Sequence, residues 1–121
     1  MRVKQRARSE GEKLQRQIAI LEVTERLLRQ LGYQEMTMQA VADGSGVAKG
    51  TVYLYFKSRE ELILKVYEGL FDRWIDDLKA CDPKPSDFEG FCRDFVKMYA
   101  NDPLFLKLNG IVYTLLELQI E

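Results

Sequence analysis

Residues 37–62 read TMQAVADGSGVAKGTVYLYFKSREEL, and this stretch decides the fold. Thr37 is placed to cap a short helix whose inward positions are Met38, Val41, Ala42 and Ser45, an i, i+3, i+4, i+7 set. Gly46 permits the left-handed backbone that ends such a helix, and Val47 is the plug of the turn. A second short helix then keeps Val52 and Phe56 inward, four residues apart. Lys49, Gly50, Thr51, Tyr53 and Tyr55 are left on its start and outer face. Helix, tight turn, helix at this length is the helix-turn-helix pattern, whose second helix enters the DNA major groove by its N-terminal end. Gly50 lets the backbone approach a base edge or phosphate. Thr51 and the tyrosine hydroxyls suit phosphate oxygens, and Lys49 suits a guanine edge or a phosphate. The competing reading makes Tyr53, Tyr55 and Phe56 an aromatic corner of a helical core. One helix cannot place Tyr53 and Tyr55 on the same inward face as Val52 and Phe56.

The flanks extend the pattern. The run Ile20-Leu21-x-Val23-Thr24-x-x-Leu27-Leu28-x-x-x-Gly32-Tyr33 precedes Thr37-Met38-x-x-Val41-Ala42. Then come Gly46-Val47-x-Lys49-Gly50-Thr51-Val52-Tyr53-x-Tyr55-Phe56-Lys57-Ser58-Arg59-x-Glu61-Leu62. Over residues 15–70 the chain closely resembles the N-terminal DNA-binding domain of the tetracycline-repressor (TetR) family. The resemblance implies that Thr37 and Gln39 approach phosphates from the start of the second helix. It implies that Lys49, Gly50, Thr51 and Tyr53 meet bases and phosphates from the third, while Tyr55, Lys57 and Arg59 hold the DNA backbone beside it. The chain departs from the family at Ala48, where members often carry Ser or Thr, so a side-chain cap worth roughly 1 kcal/mol is missing. Gly44 lies inside the second helix, where it costs about 1 kcal/mol relative to alanine. Both departures suggest a loosely held reading head that tightens on DNA.

Composition narrows the class. With 121 residues the chain can bury one core, or one small domain and part of a second. No apolar run approaches a membrane span, and the charged N-terminus has no apolar stretch behind it, so a soluble cytoplasmic protein is expected. There is no histidine, which removes the usual general base and the commonest zinc ligand. No phosphate-cradling, dinucleotide or nucleophile-elbow motif occurs, nor an acidic metal cluster; neither enzymatic activity nor a cofactor or metal is expected. Cys81 and Cys92 are read as reduced thiols, with Cys92 on a buried helix face. Residues 1–60 hold 11 basic and 7 acidic side chains, net +4, and residues 61–121 hold 7 and 12, net −5. A positive half joined to a negative half suits a DNA-reading head on a protein-facing body.

The expected architecture is all-α. Residues 1–12 form a flexible basic arm, which with Lys13 and Arg16 settles on phosphates or in the minor groove. Residues 13–60 form a three-helix, homeodomain-like helix-turn-helix domain, and residues 61–121 part of a helical effector-binding and dimerisation domain. The first helix runs from near Lys13 to Leu31, with Ile20, Thr24, Leu27, Leu28 and Leu31 inward and Gly32 as its stop. Ser58-x-x-Glu61 is a capping box that opens a long fourth helix, striped by Leu62, Ile63, Val66, Tyr67, Leu70, Phe71, Trp74, Ile75 and Leu78. The stretch 81–85, with two prolines, ends it. A second capping box, Ser86-x-x-Glu89, starts a helix with Phe88, Phe91, Cys92, Phe95, Val96 and Tyr99 inward. Asp102-Pro103 starts the last, which Gly110 divides.

The family resemblance implies that the fourth helix links the reading head to a ligand-sensing domain, and that a small molecule shifting it swings the two heads of a dimer apart. Phe71, Trp74, Ile75, Phe91, Phe95, Tyr99 and Tyr113 are candidates to line that pocket for a small apolar or aromatic effector. Apolar residues at helical spacing equally make an ordinary core. The chain stops at 115–121 without a capping signal, where family members continue through further helices, which reads as a fragment or a shortened form with an exposed apolar face. Three functions fit: a regulator, typically a repressor, that binds a palindromic operator as a homodimer; a non-regulatory DNA-binding module; or a helical protein-interaction or lipid-binding domain.

Overall fold

The computed structural model describes the backbone of residues 2–81 and 87–120, and the side chains of 9–81 and 87–118. Six α-helices follow in order: α1 (Arg2–Leu31), α2 (Met38–Ser45), α3 (Lys49–Tyr55), α4 (Arg59–Ala80), α5 (Phe88–Ala100) and α6 (Pro103–Ile120). No strand occurs among the described residues, so the all-α class holds. Two compact units divide the chain, Met1–Ile63 and Leu64–Glu121.

In the first unit α1 packs on α2 and α2 on α3. Its core is Ile20, Thr24 and Leu28 from α1, Met36, Met38, Val41, Ala42, Val52 and Phe56, with Leu62 and Ile63 from the first turns of α4. Thr24 is tolerated there because its hydroxyl donates to the Ile20 carbonyl at 2.7 Å. Leu31, expected inward, is exposed because Gly32 turns the chain away immediately after it, at φ 84°. The helix begins at Arg2 rather than near Lys13, so the stretch expected as a flexible arm is helical. Residues 2–19 are mostly Arg, Lys, Glu, Gln, Ala and Leu, all good helix formers, and over residues 9–19 the helix runs on almost wholly exposed.

The punctuation of this unit is local chemistry. Thr37, in extended conformation, caps α2 by accepting the Ala40 N–H at 3.1 Å. Gly46 sits at φ 69°, and the N–H groups of Gly46 and Val47 reach the carbonyls of Asp43 and Ala42, closing a Schellman motif. Ser58 Oγ accepts the Glu61 N–H at 3.0 Å, and the Glu61 carboxylate accepts the Lys57 N–H at 2.6 Å. Gly44 corrects the reading of a loose head. A Cβ there would stand 2.7 Å from Val23 Cγ1, so the glycine is what lets α2 lie close on α1.

The second unit is organised around Trp74. Its ring lies 5.6 Å from Phe95, 5.8 Å from Phe71, 6.0 Å from Phe105 and 6.3 Å from Tyr99, most of these crossing tilted or edge-on. Phe105, not singled out in the sequence, is buried and also touches Tyr67, Phe71 and Tyr99. Asp87 caps α5 by accepting the Gly90 N–H at 3.0 Å; the Ser86 cap expected from the sequence lies outside the described residues. Phe88, Cys92 and Val96 were expected inward but form an exposed stripe at i, i+4, i+8, while Phe91 and Phe95 are half-buried. The apolar arc of α5 is wider than the surface its neighbours cover. Asp102 caps α6 through the Leu104 N–H, and α6 passes through Gly110 unbroken.

Candidate nucleic-acid interface

The short α3 sorts its side chains cleanly. Val52 is fully buried and Phe56, just beyond the helix, is 4% exposed. Lys49, Gly50 and Tyr53 occupy the exposed face at i, i+1 and i+4, and Tyr53 is 43% exposed. Thr51 and Tyr55, four residues apart, are half-buried at the flank. The aromatic-corner alternative therefore applies to Phe56 and not to Tyr53. Leu54, 83% exposed, was not singled out in the sequence; such an apolar side chain on this helix can meet a thymine methyl.

Gly50 differs in kind from Gly44. A Cβ at Gly50 meets nothing within 4 Å, and Gly32 and Gly46 are the glycines with positive φ among the described residues. Neither packing nor backbone strain within the chain calls for glycine at this position, although it weakens the helix. Ala48, the N-cap residue of α3, makes no side-chain cap, as read from the sequence.

Thr37 begins α2 with its oxygen accepting from Ala40, which leaves its hydroxyl hydrogen free to donate outward. Gln39 is exposed and donates to Asp43 within its own helix at 2.8 Å. Lys57 is exposed. Arg59, expected beside the DNA backbone, is half-buried: its Nε donates to the Met36 carbonyl at 2.7 Å and its guanidinium lies 4.5 Å above the Tyr33 ring. Lys13 and Arg16 are exposed on α1, and the side chains of Arg2, Lys4, Arg6 and Arg8 lie outside the described residues.

In the second unit the effector candidates separate. Phe71, Trp74, Phe95 and Tyr99 share the aromatic cluster, Phe91 joins it through Phe95, and Ile75 is half-buried. Tyr113 is 78% exposed and has no place in it. A cavity of about 190 Å³ is lined by Trp74, Leu70, Met98 and Phe105 with Arg73, Asp77, Asn101 and Asp102. The indole N–H of Trp74 and the Nδ2 of Asn109 are buried without a hydrogen-bond partner among the described residues. Tyr67 donates to the Asn109 side-chain amide oxygen, Oδ1, and burial, then the neighbouring Tyr99, raises its phenol above the ordinary value of 10.0. Among the described residues no group of acidic, His or Cys side chains could hold a metal, and no helix is long and apolar enough to cross a membrane.

A capped helix, a Schellman turn and a seven-residue helix with one face open define a helix-turn-helix domain. Residues 20–66 match the family described as bacterial regulatory proteins, tetR family. An uncharacterised helix-turn-helix transcriptional regulator of Haemophilus influenzae is 30% identical over 95 residues, which is 77% of this chain and 48% of that protein. The transcriptional repressor KstR2 of Mycobacterium tuberculosis is 30% identical over 56 residues, 46% of this chain and 28% of that one. The crystal structure of a TetR-family transcriptional regulator from Haemophilus influenzae superposes with a TM-score of 0.55 at 26% identity, over 80% of this chain and 55% of that one. Residues 20–66 thus carry a domain of the tetR family of bacterial regulatory proteins. The chain spans about half the length of the Haemophilus relative and 28% of KstR2.

Proposed function

We propose that this chain is the DNA-reading part of a cytoplasmic transcriptional repressor that binds a palindromic operator as a homodimer and is released by a small apolar or aromatic effector. The observation that carries the reading is Gly50, a helix-weakening residue on the open face of α3 that nothing among the described residues requires. A close approach by an outside group accounts for it, and Lys49, Tyr53 and Leu54 surround that approach with a cation, a hydroxyl and an apolar contact. Thr37, Gln39, Thr51, Tyr55 and Lys57 supply hydroxyl, amide and ammonium groups for phosphates around it. The net +4 of residues 1–60 favours the same partner. The aromatic cluster around Trp74 supports an apolar or aromatic effector, with the Trp74 indole N–H available to an acceptor on it.

Selection of bound duplexes from a random DNA pool, repeated at several salt concentrations, tests the reading. A palindrome with half-sites about 34–36 Å apart, or a multiple of that, is expected. Lys49→Ala should lower the slope of log K against log salt by about 1 if the lysine meets a phosphate. A pool that yields no consensus leaves a non-regulatory DNA-binding module, and one that yields no bound DNA removes the assignment.

A further inference from the structure

Arg59 is the first residue of α4, yet its guanidinium serves the loop in front of α2. The Nε donor reaches across 23 positions of sequence to the Met36 carbonyl, and the flat face of the group lies on the Tyr33 ring. Met36 is fully buried, and its N–H is bonded to the carbonyl of Gly32, the residue that ends α1. The Met36 carbonyl belongs to the peptide plane that also contains the Thr37 nitrogen, and that plane is rigid. Holding the carbonyl therefore anchors the nitrogen and Cα of Thr37, the residue whose side chain caps α2.

We infer that Arg59 is a positioning residue for Thr37: by fixing the Met36–Thr37 peptide it presents the Thr37 hydroxyl and the first turn of α2 to a DNA phosphate, and it is not itself a phosphate contact. The inference rests on the DNA-binding reading above. Arginine suits the task because its planar group donates from its edge while its face stacks on an aromatic ring; an ammonium does one or the other. The same link ties the start of α4 to the loop in front of α2.

The test compares Arg59→Gln and Arg59→Lys with the unaltered chain on the selected operator across a salt series. Arg59→Gln should weaken binding about tenfold, the worth of one charge-assisted hydrogen bond, with the slope of log K against log salt unchanged. A slope smaller by about 0.9 would mean a lost phosphate contact and overturn the proposal. Arg59→Lys, which keeps the charge, should bind as weakly as Arg59→Gln; full rescue by lysine overturns it. Thr37→Val should weaken binding in the unaltered chain and add less than about twofold in the Arg59→Gln background, because the two residues act as a unit. Additive losses would reduce Arg59 to a general stabiliser. Amide exchange without DNA separates this proposal from the DNA-binding reading itself. Arg59→Gln should speed exchange at Ala40, whose N–H Thr37 caps, and spare Leu28 in α1. Unchanged protection at Ala40 overturns the proposal whether or not any duplex binds.

Discussion

Gly44 of α2 lies against Val23 of α1 so closely that a methyl group on the glycine would stand 2.7 Å from the valine Cγ1. Helix propensity alone makes Gly44→Ala stabilising by about 1 kcal/mol. The contact reverses that sign, because a β-branched valine within a helix holds a single rotamer and cannot swing aside. Overpacking of this kind costs about 1–3 kcal/mol. Gly44→Ala is therefore expected to lower the stability of the first unit by roughly 1 kcal/mol net, as read from its denaturant midpoint. A rise in the midpoint would show that α1 and α2 separate more easily than their packing implies.

What could be read in the sequence was chemistry that closes within a few residues. Thr37 caps Ala40, Gly46 turns after Asp43, and Ser58 and Glu61 bracket the start of α4; each needs only its neighbours. The open face of α3 was equally legible, since two inward residues four apart fix what the others can do. The partners of Gly44 and Arg59 were not, because they lie on another helix or in a distant loop. The start of α1 was misplaced because solvated charged residues are as compatible with a helix as with a coil. On α5 an apolar arc from Phe88 to Tyr99 carries no mark of which part its neighbours will cover. Phe105 closes the aromatic cluster from a helix for which the sequence marked its start and Gly110.

Gly50 gives the opposite expectation to Gly44. A Cβ at Gly50 enters open space, so Gly50→Ala should stabilise α3 by about 1 kcal/mol. The same methyl group would keep the backbone of α3 away from a base edge or phosphate. The variant is thus expected to unfold at higher denaturant and to bind the operator at least about tenfold more weakly, the worth of one base contact. Parallel unfolding and binding titrations check it. Unimpaired binding would detach Gly50 from the interface.

Ala48 stands in the extended conformation of an N-cap, at φ −70° and ψ 151°, but offers no side-chain acceptor. Ala48→Ser supplies one to the N–H of Gly50 or Thr51 without changing the backbone, and should add about 1 kcal/mol. The Thr51 N–H already reaches the Ala48 carbonyl at 2.9 Å, which places the gain toward the lower end of that estimate. Slower amide exchange confined to α3 is the expected signature. Exchange unchanged in α3 would mean that its first turn is held by other means.

Tyr67 makes stability depend on alkaline pH. Burial, and then Tyr99, raise its phenol above 10.0, so the folded chain holds this proton more tightly than the unfolded chain does. The resulting stabilisation is complete below pH 10 and is lost as the pH climbs through the raised folded value. The neutral phenol is also the form that donates to Oδ1 of the Asn109 side chain, so ionisation removes that bond. Tyr67→Phe should lower the unfolding midpoint at neutral pH by the loss of one hydrogen bond, about 1 kcal/mol, and flatten the decline above pH 10. The difference in phenolate absorbance between the unaltered chain and the variant should titrate with a midpoint above 10.0. A midpoint at or below that value would place Tyr67 in water and open the aromatic cluster at its edge.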